Sequence, residues 1–260
     1  MAGLLKNIFR KNAALSVNEL IAKKTFVSFT FFLLFTVAAI GAWKWLRNQP
    51  SNSGKTSSPL RAVLDLNERV FSNILSDQHL AKVYDRSLAA NPARVNGTLG
   101  LHSALDSANW TMNVIKQNGD TLRIKMEDIR KLPKTEIVFN FKCIEGWSQI
   151  TWWGGVRFRD FMDAFGLKDE SSMKYIGLAT PDKEYYVGID MASALHPQTL
   201  LAYELNGQPL PLQQGYPLRL VIPVKYGVKS LKRIGFLFFD NKRTPDYWAD
   251  KKGYDYFTGL

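Results

Sequence analysis

Residues 25–43, TFVSFTFFLLFTVAAIGAW, run for 19 positions without a charged side chain, in a chain of 260. As an α-helix such a run spans about 28 Å, close to the roughly 30 Å of a bilayer's hydrocarbon core. No other stretch of the chain is as apolar over that length. The run is longer than the apolar part of most cleaved signal peptides, and Trp43 and Trp45 stand where an aromatic belt would lie, so residues 25–45 read as an uncleaved transmembrane anchor. Cleavage after the small residues near Ala42 is the other reading.

The anchor gives the net charge of +11 a different meaning. Lys6, Arg10, Lys11, Lys23 and Lys24 face only Glu19 in the first 24 residues, while Lys44 and Arg47 follow the span. The shorter, more basic side is expected in the cytoplasm and the large domain outside it, in the inner membrane. Residues 3–21 alternate apolar and basic side chains, which suits either a helix lying on the cytoplasmic membrane surface or a frayed tail. Zinc-ligand pairs, a basic region with heptads and an aromatic RNA-binding motif are all missing, so nucleic acid is not an expected partner.

Residues 48–59, NQPSNSGKTSSP, are polar and rich in Ser, Gly and Pro, the composition of a flexible linker, and the folded domain is expected from about residue 61 to 260. Residues 61–90 carry mostly helical patterning. Residues 110–115 and 121–126 read as a hairpin turned at Asn118-Gly119. Residues 134–144, 173–180, 200–205, 218–223 and 231–240 are rich in β-formers, and a short helix is expected over 157–165, ending at Gly166. The fold class is α+β and sheet-rich.

A single cysteine, Cys143, rules out an internal disulfide framework and leaves one thiol to explain. It ends a strand-like run just before a Gly turn, in FNFKCIEGWS, where a rigid scaffold tends to present a site. By composition alone a lone cysteine is more often a small buried hydrophobe than a ligand.

The surrounding sequence changes that weighting. KCIEGWSQITWWGGVRFRDFMDAFGL, followed by HPQTLLAYELNGQPLPLQQGYPLRLVIPVKYGVKSLKRI, resembles the molybdopterin-binding domain of the sulfite oxidase superfamily. It is most similar there to the branch of the periplasmic protein-methionine-sulfoxide reductase catalytic subunit. The resemblance runs from about Leu101 to the C-terminus.

It implies a molybdenum-molybdopterin cofactor with Cys143 as the metal's thiolate ligand, a soft donor whose proton the metal displaces. It implies that Arg219, in Gly215-x-Pro217-x-Arg219, binds the cofactor, together with Lys232, the backbone around Ser230 and Leu231, and Thr180. Gln214 stands where the family has an asparagine, and Asn96, beside Arg94, is the nearest substitute for an upstream Asn motif. Apart from the resemblance, Lys225, Lys229, Lys232 and Arg233 would read as a solvated basic face, and Arg219 as half of a structural salt bridge.

Trp147, Trp152 and Trp153 either wall a substrate pocket or fill the core. His196 reads as structural, and His79 and His102 lack metal-ligand spacing. Sulfite oxidases proper carry arginines shortly after the cysteine; here residues 144–149 hold no cation, which disfavours sulfite. Lys23-Lys24 stands where a twin-arginine export signal would be, so either that pair serves, or a partner carries the signal, or the domain crosses unfolded and empty.

The expectation is therefore a membrane-anchored oxidoreductase facing the periplasm. It would move an oxygen atom from an S-oxide or N-oxide and take electrons from a haem-bearing or other membrane electron-transfer subunit. The alternative is a cofactor-free subunit of the same fold that assembles a membrane complex.

Overall fold

The computed structural model describes residues 14–53, 56–74 and 77–260. They form two compact units, one built on a long N-terminal helix and one comprising Leu60–Leu260 together with Asn52–Thr56.

The N-terminal helix, α1, runs Val17–Arg47 and buries none of its side chains. The backbone N–H of Ser16 donates to the Glu19 carboxylate at 2.9 Å, which opens the helix, and Lys44 and Arg47 occupy its last turn. Thr30 and Thr36, two of the polar residues in the apolar run, donate their hydroxyls to the carbonyls of Phe26 and Phe32 at 2.8 Å. Neither hydroxyl is left for the surroundings to satisfy, so the helix is long and apolar enough to cross a membrane. It extends beyond the expected 25–45 at both ends and takes in residues 17–21 of the amphipathic N-terminal stretch. Residues 1–13, the rest of that stretch, lie outside the described residues.

The stretch expected as a flexible linker holds short strands at Ser51–Ser53 and Thr56–Ser57, and α2 follows at Ser58–Ile74. The helical patterning of residues 61–90 stops there: Val83 bridges to Phe139, and Arg86–Leu88 make one 3-10 turn capped by Asp85. The remaining elements in chain order are β1 Thr111–Ile115, β2 Thr121–Lys125, α3 Met126–Arg130, β3 Thr135–Lys142, β4 Ser148–Arg157, α4 Phe158–Ala164, β5 Tyr175–Ala179, β6 Tyr186–Asp190, α5 Met191–Ala194, β7 Leu200–Leu205, β8 Gln208–Pro209, β9 Arg219–Val221, β10 Phe236–Asp240 and α6 Tyr247–Lys252.

They make two five-stranded sheets. One has the order β8-β7-β4-β3, with β9 also paired to β7, and every pair is antiparallel. The other has the order β2-β1-β10-β5-β6, with β1 and β10 parallel. The hairpin turns at Gly119 (φ +90°) as expected, and α4 ends at Gly166 (φ +64°).

Strand alternation sorts the core into two clusters. Leu201, Tyr203 and Leu220 point into the larger one, with Met112, Val114, Ile176, Leu178, Leu237, Phe158 and Phe161. Their neighbours Leu200, Ala202 and Val221 point the other way, into a smaller cluster with Ile137, Phe139, Phe141 and Trp153. Position 219 has the parity of Val221, and position 143 has the parity of 137, 139 and 141. The period-two geometry of β3 and β9 therefore aims Cys143 and Arg219 at the same side of one sheet.

Candidate active site around Cys143

The backbone turns sharply just past β3. Cys143 N–H donates to Trp147 O at 2.9 Å, its own carbonyl accepts from Gly146 N–H at 3.1 Å, and Gly146 takes φ +90°. This turn sets the buried Cys143 at the wall of a cleft that is also lined by Arg94, Asn96, Trp147, Gln214, Arg219 and Lys232.

Asn96 stands over the sulfur. Its amide Nδ2 lies 3.7 Å from Cys143 Sγ and donates at 3.1 Å to Glu145, whose carboxylate also accepts from Trp147 Nε1 at 3.2 Å. Trp147 is covered on its outer face by the Arg94 guanidinium, 4.5 Å from the ring centroid. Trp153 forms the floor together with Phe141. Trp152, its neighbour on β4, faces the opposite side of the sheet and bonds Glu136, so the three tryptophans divide between pocket wall and framework.

Arg219 is buried at 4% exposure, and its Nη1 donates to Gln214 twice, to Oε1 at 2.7 Å and to the main-chain O at 3.2 Å. Its guanidinium packs on Trp153 at 4.8 Å and Phe141 at 5.5 Å, and its Nε has no hydrogen-bond partner. Burial pulls its pKa down from the ordinary arginine value to about 10. Lys232 donates only to main-chain carbonyls, of Asn96 at 2.7 Å and Gly97 at 2.8 Å. Burial, and then the nearby Arg219, lower its pKa to about 7. Among the described residues neither cation pairs with a carboxylate. The expected salt bridge at Arg219 is not formed, and the segment Lys225–Arg233 is no solvated face: Lys225, Lys229, Lys232 and Arg233 are all buried. Lys225 pairs with Asp190 at 2.7 Å and Lys229 with Asp246 at 2.5 Å, so these two are structural cations.

Asn96, Cys143, Gln214, Arg219, Ser230 and Lys232 thus come together from five separated stretches of chain. Thr180 and Leu231 do not line the cleft. Thr180 is fully buried; its hydroxyl donates to Asp182 at 2.6 Å and it meets Tyr185 through main chain and side chain, fixing the hairpin that delivers Tyr185 to the cleft. Leu231 fills the larger core, and its carbonyl accepts from Leu220 N–H. His196 is buried and accepts from Gln198 N–H, in keeping with a structural role.

Tyr185, Trp248, Tyr254 and Gln149 also line the cleft, though the sequence gives none of them a role there. Tyr185 OH donates to Val228 O at 2.7 Å and accepts from Trp248 Nε1 at 3.0 Å, and burial raises its pKa well beyond the ordinary tyrosine value. A contact between Tyr185, just before β6, and Trp248 in α6 carries no local signature in the sequence.

A buried thiol and two buried cations without counter-ions suit a ligand that is both metal-bearing and anionic. A family model described as oxidoreductase molybdopterin binding domain matches residues 99–248, more than half of the chain. A protein named as a protein-methionine-sulfoxide reductase subunit, YedZ1, of Azospira oryzae is 35% identical over 204 residues, covering 78% of this chain and 76% of that one. The protein-methionine-sulfoxide reductase catalytic subunit MsrP of Campylobacter jejuni is 30% identical over 190 residues, covering 67% of this chain and 63% of its own length. MsrP of Ralstonia nicotianae is 31% identical over 172 residues, 61% of this chain and 50% of that protein. The chain thus spans between half and about three quarters of the length of these curated relatives.

The sulfane dehydrogenase SoxCD of Paracoccus pantotrophus shares the fold, with a TM-score of 0.50 at 19% identity over 56% of this chain and 42% of that one. The chain belongs to the oxidoreductase molybdopterin-binding domain family, within the sulfite oxidase superfamily and on the branch of the protein-methionine-sulfoxide reductases, and its cofactor is accordingly molybdenum-molybdopterin.

Proposed function

We propose that this chain is a membrane-anchored, extracytoplasmic reductase of S-oxides, with methionine sulfoxide in proteins as its foremost substrate. One observation carries the reading: a single cleft holds the Cys143 thiol and two buried cations, Arg219 and Lys232, that no carboxylate among the described residues neutralises. Leaving two charges buried and unpaired is costly, and an anionic ligand repays that cost. A subunit that had lost its cofactor would have no such compensation.

The residues present fit the group. Arg219, with its orphaned Nε, Lys232 and the unpartnered Ser230 hydroxyl are donors for the pterin phosphate, and Cys143 would supply the metal's thiolate. When bound, the cofactor supplies two-electron oxygen-atom transfer. Overall, two electrons and two protons enter, the S–O bond breaks, and a thioether and water leave. Asn96 donates toward the sulfur and holds the Glu145 carboxylate beside it, and Glu145 would be the side chain that carries protons to the substrate oxygen. Trp147 and Trp153 exclude water from the wall and the floor.

The assignment to S-oxide reduction draws on the names of the relatives in Azospira oryzae and Campylobacter jejuni and on the lack of a cation in residues 144–149. The anchor, α1, would keep the domain beside a haem-bearing membrane subunit as electron donor.

The test is elemental analysis of protein taken from its own membrane, followed by oxidation of a reduced viologen dye with a methionine-sulfoxide peptide. Molybdenum near one per chain is expected, with dye oxidation that depends on the peptide and falls to background in Cys143→Ser. A chain free of molybdenum from a molybdate-replete source overturns the reading.

A further inference from the structure

Helix α2 is built inside out. At 100° per residue, Arg61, Asp65 and Glu68 share one narrow face. That polar face is held on the domain: Arg61 donates to Tyr254 O at 2.9 Å and Ala249 O at 3.2 Å, Asp65 accepts from Arg243 at 2.6 Å, and Glu68 pairs with Arg243 and accepts from Tyr175 OH at 2.8 Å. The opposite face carries Leu60, Val63, Leu66, Val70 and Ile74 within an arc of about 120° that Asn67 alone interrupts with a polar side chain, while Phe71 at its edge stacks on Phe257 of the domain. The five are between 46% and 56% exposed. A helix of a soluble domain turns such an arc inward, so this one is made to meet an apolar phase outside the domain.

We infer that the outer face of α2 lies in the headgroup–acyl boundary of the bilayer, holding the domain against the membrane. The inference rests on the reading of α1 as an anchor. Ten residues, 48–57, separate the end of α1 from the start of α2, a contour of at most about 35 Å. The bilayer is therefore the one apolar phase whose proximity the chain itself guarantees. A partner protein would have to be supplied separately, and a second copy would have to find the same face. The width of the arc suits a helix lying in the interface of a bilayer.

The test uses the full chain in vesicles of phosphatidylethanolamine and phosphatidylglycerol, with a protease site set into residues 48–57 and both fragments followed by flotation. Before cleavage the chain should float. After cleavage the domain should stay with the vesicles, and V63E combined with V70E should release it, lowering the bound fraction about tenfold or more while circular dichroism and molybdenum content hold.

A cleaved wild-type domain found in the soluble fraction overturns the inference and leaves the anchor reading standing. A domain that floats while the α1 fragment does not supports the inference and overturns the anchor. Release as a dimer that the paired variant turns into a monomer overturns lipid docking in favour of a second copy. Retention of the paired variant overturns the assignment to this helix face.

Discussion

Gln214 holds Arg219 through two neutral acceptors, its side-chain oxygen at 2.7 Å and its main-chain carbonyl at 3.2 Å, while its Nε2 donates to Arg94 O at 3.1 Å. The amide thus positions the guanidinium and leaves its charge uncancelled. Gln214→Glu adds the missing counter-ion, but it puts a second oxygen where Nε2 now donates to Arg94 O. The variant is expected to stabilise the cofactor-free protein by at most about 1 kcal/mol, the gain from pairing the guanidinium with a charge less the loss of that donated bond. It is expected to retain less molybdopterin, because the carboxylate competes with the phosphate. Urea unfolding and pterin fluorescence measure the two effects, and a variant with unchanged cofactor content would show that Arg219 does not hold the phosphate.

Lys232 gives a second pair of opposite effects. With its pKa lowered to about 7 by burial, it is neutral in the cofactor-free fold at alkaline pH, whereas the unfolded chain keeps it protonated up to the ordinary lysine range. Between those values the unfolded state binds the extra proton, so stability rises with pH from about 7 to about 10.5. Lys225, lowered to about 8 by burial, adds to the same rise above its own pKa. Lys232→Met should flatten the part of the rise that begins near pH 7 and leave the part belonging to Lys225. In wild type, protection of the cofactor-free protein by inorganic phosphate should weaken as pH climbs through 7. Melting temperatures taken across pH 6–10, with and without phosphate, check both.

Glu145 shares the Asn96 amide with Cys143 Sγ, the two contacts being 3.1 Å and 3.7 Å. Glu145→Gln keeps an oxygen for Asn96 and Trp147 but cannot carry a proton. The expected result is roughly a hundredfold loss in turnover with molybdenum content unchanged, since a positioned acid or base commonly contributes on that scale. A variant that turns over normally would remove Glu145 from the proton path.

Local pattern carried much of this molecule. Residues 25–43 announced α1 by length and charge alone, Asn118-Gly119 fixed the hairpin, and Gly166 closed α4. The motif around Cys143 and the Gly-x-Pro-x-Arg run brought the thiol and Arg219 into view. Pairing across the sheet could not be read in the same way. Residues 148–157 form the long central strand β4, yet Gly154-Gly155 within them resembles a break. Residues 231–235 look like strand but run irregularly, because Arg233 takes φ +50° and turns the backbone out of the extended conformation. Thr180 is near the site in sequence logic and behind it in space, since its hydroxyl is spent on Asp182 and Tyr185.

The Gly154-Gly155 pair marks a register shift between β4 and β7 and so yields a test of the scaffold itself. A Cβ on Gly155 would stand 2.2 Å from Leu201 O and 2.6 Å from Ala202 Cα, both of them main-chain atoms that cannot swing aside. Gly155→Ala must push β7 away from β4. That should cost about 3 kcal/mol, the upper part of the usual range for overpacking. Because β7 also pairs with β9, with Arg219 opposite Ala202, the displacement reaches the cation at the cleft, and cofactor content should fall with stability. Gly119→Ala is the control. A Cβ there meets nothing within 4 Å, and the cost comes only from φ +90°, about 1–2 kcal/mol, with the cofactor retained. Urea midpoints beside molybdenum content separate the two, and a Gly155→Ala protein that keeps its full cofactor would show that β7 does not set the position of Arg219.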